Sequence, residues 1–141
     1  MEPQESNERR MGAEGGDKQM LRFVILRHEP GEVSAGEAVH WDFLVETVAG
    51  AEWLPTWRLA AWEEGAFVVE AVRLPDHRRA YLDYEGPISG GRGRVKRVAS
   101  GVVEILRQTA TRWELLLHTN KKILRAVGTA SDEDHWMWSF G

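Results

Sequence analysis

The chain has no cysteine among its 141 residues. That excludes a disulfide framework, thiolate zinc sites, iron–sulfur clusters and cysteine nucleophiles. No apolar run approaches the ~20 residues of a membrane span, and the polar N-terminus lacks the apolar core of a secretory signal. The expectation is a cytoplasmic protein that makes no use of a membrane. No Gly-x-Ser-x-Gly turn is present, and Gly90-Gly91-Arg92-Gly93 lacks the Gly-Lys-Ser/Thr that completes a phosphate-binding P-loop. Serine-nucleophile and P-loop nucleotide chemistry are set aside on those grounds. There is no internal repeat and no convincing long amphipathic helix.

What is present is ordinary in bulk and uneven in detail. At 43% hydrophobic and 28% charged, the chain reads as one globular domain able to bury its own core. Net charge is −4, but residues 87–125 carry nine basic and two acidic groups, whereas residues 21–86 carry six and twelve. Such asymmetry either focuses a positive potential on one face or marks solvated strand edges. Seven tryptophans are many for this length. Those at alternating apolar positions (Trp41, Trp57, Trp113) read as core, while Trp53 and Trp62 are candidates to reach a binding groove.

Residues 1–20 are polar and aperiodic, the pattern of a mobile tail, and residues 21–141 form the single domain. Alternation predicts strands over Leu21–Arg27, His40–Glu46, Trp57–Trp62, Ala66–Val72, Arg94–Ala99, Val102–Gln108, Trp113–His118, Lys121–Val127 and Trp136–Phe140. Glu63-Glu64-Gly65, Ser100-Gly101 and Thr119-Asn120 read as turns, and Ser131 as the N-cap of one helical turn. Short strands at such spacing predict an all-β fold, a compact, mostly antiparallel β-barrel of about eight strands. A monomer is expected.

His40-Trp41-Asp42-Phe43 is the most informative segment. On a strand His40 and Asp42 share one face, and Trp41, Phe43 and Val45 the other. An imidazole beside a carboxylate is either a surface hydrogen bond or half of a metal or acid/base site. His28 and His77 tip the balance, because strands bringing them to Asp42 would assemble a nitrogen/oxygen donor set for Mn, Fe or Zn. His118 and His135 stand apart from this group.

His28, the string HWDFLVE over 40–46 and DHRRAYLDYEG over 76–86 together resemble the 3′-phosphoesterase domain of bacterial ligase D, the DNA end-joining enzyme, over about residues 21–101. That family shows a His, then His-Tyr-Asp-Phe-Arg-Leu-Glu, a Trp-containing strand, and Asp-His-Pro-Leu-x-Tyr. The resemblance implies a β-barrel with a metal-bearing groove and a Mn-dependent enzyme that removes a 3′-phosphate or terminal ribonucleoside. Its substrates would be DNA 3′ ends, primer–template or RNA-tipped, and its partners an end-joining ligase, polymerase or Ku protein. It implies His28, Asp42 and His77 as metal ligands, His40 as general acid or phosphate contact, Tyr81 as phosphate contact, and Glu46 as the motif's closing glutamate.

The departures are specific. Leu44 stands where the family has a phosphate-gripping arginine, and alanine stands where a lysine follows the Trp strand, with Arg58 nearby as a substitute. Eleven residues separate His28 from His40, against about five in the family, and the Gly86–Val95 loop is shorter. The chain carries no polymerase or ligase module and reads as a divergent, free-standing relative. Arg58, Arg92, Arg94 and Lys96 are the candidate contacts to backbone phosphates. A non-catalytic nucleic-acid-binding module and a purely structural barrel are the competing readings.

Overall fold

The computed structural model describes residues 20–141, so the expected tail lies outside the described residues except for Met20. In chain order the strands are β1 (Leu21–Glu29), β2 (His40–Val45), β3 (Trp53–Leu59), β4 (Phe67–Arg78), β5 (Gly86–Pro87), β6 (Arg94–Gln108), β7 (Arg112–His118), β8 (Ile123–Ala130) and β9 (His135–Phe140). Eight of them run β1-β2-β3-β4-β9-β8-β7-β6, and β6 pairs back onto β1, closing an antiparallel barrel. The two-residue β5 pairs with the start of β6. Closure leaves the eight strands without an unpaired edge, which the period-two pattern by itself cannot dictate. The expected all-β barrel is the observed fold.

The lumen is filled by the inward members of each alternation. Phe23, Ile25, Phe43, Val45, Leu59, Leu115, Leu117 and Phe140 surround Trp57, Trp113, Trp136 and Trp138. Trp57 meets Trp113, Trp136 and Trp138 edge to face, with centroids 4.8, 5.4 and 5.0 Å away. The indole N–H groups of Trp57, Trp136 and Trp138 have no oxygen or nitrogen acceptor. Ring faces are the electron-rich partners left to them.

A second apolar layer lies on the outside of the wall. Val24, Leu26, Leu44, Leu54, Leu82 and Val95 form it, with Tyr81 and Ile88 packed on top. A 3-10 turn over Arg79–Leu82 provides the cover. Thus both faces of β2 are buried, and Leu44 is fully enclosed. Leu44 is part of this packing layer.

Four expectations need correction. The strand expected over Trp57–Trp62 is β3, Trp53–Leu59, which starts four residues earlier and ends three residues earlier. Ser100-Gly101 is no hairpin, because β6 runs unbroken through it for 15 residues. Gly101 has φ +156°, and a Cβ there would lie 1.8 Å from the His118 carbonyl oxygen. The glycine permits close backbone approach where β6 passes from β1 to β7, a barrel-corner use of the residue that also marks turns. Ser131 caps no helix: its N–H and hydroxyl both donate to the His135 carbonyl in the β8–β9 connection. β4 extends to Arg78, past Pro75, because an irregularity in its pairing with β3 leaves no ladder bond for the missing N–H.

Candidate metal centre

The β1–β2 register sets His28 directly opposite His40 and Leu26 opposite Asp42. His28, His40 and Asp42 therefore share the outer face of the wall, with Asp42 diagonal to His28. The two imidazole centroids are 4.5 Å apart. His28 Nδ1 lies 3.2 Å from Asp42 Oδ2, and His40 Nε2 lies 3.2 Å from Oδ1. Both carboxylate oxygens are thus engaged by imidazoles, yet Oδ1, fully buried, accepts no well-aligned hydrogen bond. One atom from each of the three residues lies within 4.8 Å of the others.

The tautomers follow from carbonyl partners, which only accept. His28 Nε2 donates to the Arg92 carbonyl at 2.9 Å, which leaves Nδ1 to face Asp42. His77 Nδ1 donates to the Pro75 carbonyl at 2.9 Å, which leaves Nε2 as its exchangeable position. Burial opposes ionisation of Asp42, but His28, His40 and the charge of His77 outweigh it and lower its pKa to about 2. The same contact with Asp42, reinforced by the Arg92 carbonyl and opposed by burial, raises the pKa of His28. A proton held between Nδ1 and a carboxylate is what a divalent ion would displace. Two imidazoles and one carboxylate suit Mn, Fe or Zn, and the carbonyl behind His28 is the outer support that orients such a ligand. The residues present fit a divalent cation.

The groove over this centre is about 280 Å³ and is lined by His28, Asp42, His77, Tyr81, Trp53 and Arg92, among others. It gathers residues from all three motif blocks. His77 lies outside the tight donor set that sequence reading assigned it to, and His40 lies inside it. The two histidines exchange places because β2 pairs with β1 across the His28–His40 register, while His77 enters from β4, beyond β3. Tyr81 stands beside His77, with centroids 6.2 Å apart. Arg92 lines the groove with its guanidinium folded back, Nε donating to the Ser89 carbonyl at 2.7 Å.

The other basic candidates divide. Arg58 is opposite Asp42 in the β2–β3 register and borders a neighbouring groove of about 720 Å³ that begins at His40. Arg94 and Lys96 are opposite Glu29 and Arg27, so they share the face turned away from His28. The structure does not bring them to the His28/His40/Asp42 cluster. Alternation along β1 and β6 would have shown this, had their pairing been known. Glu46, named only as a motif member, proves to be a staple. It is 1% exposed, accepts the Arg22 and Gly50 backbone N–H groups at 2.9 and 2.8 Å, and pairs with Arg79.

Gly93 fixes the carbonyl that holds His28. Its φ is +94°, and a Cβ there would lie 1.8 Å from the Glu29 carbonyl oxygen. Gly93→Ala must displace the Arg92–Gly93 peptide from β1. The expected loss is about 2–4 kcal/mol of stability and, if the cluster holds a divalent ion, a ~10–100-fold weaker affinity for it, the usual cost of losing outer support. Thermal melts and calorimetric Mn titration check it, and a variant that binds Mn like wild type would disprove the coupling.

No family model matches the chain, and no curated protein matches it either. Fold and site define the class: a closed antiparallel β-barrel bearing a His28/His40/Asp42 donor cluster on its outer wall. Among the described residues no helix is long and apolar enough to cross a membrane.

Proposed function

We propose that the chain is a metal-dependent phosphoesterase acting on 3′ ends of DNA in end repair, removing a 3′-phosphate or a terminal ribonucleoside. The observation that carries this reading is the meeting of His28, Asp42, His77, Tyr81 and Arg92 in one groove. His28, His40 and Asp42 would hold the ion, with Mn the first candidate by resemblance to the ligase D phosphoesterases. When bound, it supplies Lewis-acid neutralisation of phosphoryl charge. Water attacks phosphorus, and His77, with Nδ1 engaged by Pro75, exchanges its proton at Nε2 and is positioned as general acid toward the leaving oxygen, the primer's 3′-oxygen when phosphate is removed and the 5′-oxygen of the departing ribonucleoside otherwise. The Tyr81 hydroxyl and the Arg92 guanidinium are the groove's donors to phosphate oxygens. His40, the catalytic candidate from the sequence, moves in this reading to the donor set, and His77 takes the acid's place.

The second reading, a non-catalytic nucleic-acid-binding module, draws on Leu44. A buried leucine occupies the position of the phosphate-gripping arginine, so part of the expected grip is absent. Phosphate release from a primer–template with a 3′-phosphate, with and without Mn, decides between them. Wild type should release phosphate only with metal, and His77→Ala should lower kcat by ~10²–10⁴-fold. No release from a preparation that binds both Mn and duplex would leave the binding-module reading in its place.

A further inference from the structure

We infer that Trp53 is a stacking platform for the base of the terminal nucleotide, which makes the groove selective for nucleic-acid ends over simple phosphate esters. The inference rests on the function proposed above. Of the seven tryptophans, Trp57, Trp113, Trp136 and Trp138 are buried in the lumen, and Trp41 and Trp62 pack against it. Trp53 belongs to neither apolar cluster and is 48% exposed. It lines the same groove as His28, Asp42, His77 and Arg92. An indole left out of both cores keeps about half its surface open to solvent, and here it borders the groove that His28, Asp42 and His77 also line.

The ring is also held in place. Trp53 is opposite Arg78 in the β3–β4 register, and the Arg78 guanidinium carbon lies 4.7 Å from the ring centroid. One face is therefore occupied by a cation, which orders the side chain before any ligand arrives and lowers the entropic cost of stacking. The Arg78 guanidinium also lies 3.8 Å from the exposed Glu52 carboxylate. The chemistry on the page is bipartite. Imidazoles, the Arg92 guanidinium and the cation site suit a phosphate, and a flat, electron-rich, partly exposed indole in the same groove suits a nucleobase. A phosphate monoester without a base would use only the first half.

The test needs no turnover. Wild type, Trp53→Phe and Trp53→Ala are compared by fluorescence anisotropy on two primer–templates carrying a 3′-phosphate, one with a normal terminal nucleotide and one with an abasic residue there. Wild type should bind the normal end roughly 5–150-fold more tightly. Trp53→Phe should keep most of that preference and Trp53→Ala should lose it, with both remaining folded because Trp53 belongs to neither apolar cluster. A preference that survives Trp53→Ala, or wild type that binds both ends equally while releasing phosphate, overturns the stacking platform alone. Failure of wild type to bind either end overturns the phosphoesterase reading and the platform together.

Discussion

On the proposed function, Asp42→Asn is expected to abolish divalent-metal binding and, with it, phosphoester cleavage. The carboxylate is the only anionic donor of the cluster, and both its oxygens face imidazoles. Its loss should exceed the ~10–100-fold penalty of removing an outer-sphere partner. Calorimetric titration with Mn and Zn checks this, and wild-type affinity in the variant would remove Asp42 from the site. The same substitution should alter acid stability, measured in chelator. A carboxyl whose folded pKa is about 2 instead of 3.8 binds fewer protons folded than unfolded. Its contribution is complete above the unfolded value and lost as pH falls through the folded one. The window is therefore from about pH 4 down to about pH 2, and the span is worth roughly 2 kcal/mol. Denaturant titrations at pH 5 and pH 2 should show wild type losing about that much more than Asp42→Asn.

Glu46→Ala should cost about 3–4 kcal/mol, the largest purely structural effect among the site's neighbours. The carboxylate is buried at the end of β2, and its removal strands the Arg22 and Gly50 amides and the Arg79 guanidinium at once. For a domain of this size that is a fall in Tm of about 10 °C. Glu46→Gln keeps an acceptor oxygen and should lose about half as much. Arg79 begins the 3-10 turn that carries Tyr81 and places Leu82 over Leu44. Loosening it should expose the outer apolar layer and widen the groove. A Tm within about 2 °C of wild type would show that Glu46 is no staple.

How much of this was legible in the sequence differs from residue to residue. The alternation in His40–Val45 showed correctly that His40 and Asp42 share a face away from Phe43 and Val45. It could not show that this outer face is itself buried, because the cover comes from a turn some forty residues later, Arg79–Leu82. Ser100-Gly101 misled because a glycine at positive φ marks a turn and a barrel corner equally well, and only the His118 carbonyl beside it separates the two. Thr119-Asn120 was read correctly because its signal is local: the Thr119 hydroxyl accepts from the Lys121 and Lys122 N–H groups.

The donor cluster shows the same division. Residue types and the two-residue spacing of His40 and Asp42 marked a donor pair, and the three motif blocks marked which other residues belonged nearby. Which histidine completes the set was decided by the β1–β2 register, and which basic residues face it by the β1–β6 register. The sequence by itself determined the period-two strands, the lack of cysteine and of a P-loop motif, and the candidate donors, since each is read along the chain. The order of strands, the closure of β6 on β1, the second apolar layer and the nearness of His40 to His28 and Asp42 were decided only in three dimensions. Those depend on the sum of many weak cross-strand contacts between distant residues, and no short stretch of sequence contains that sum.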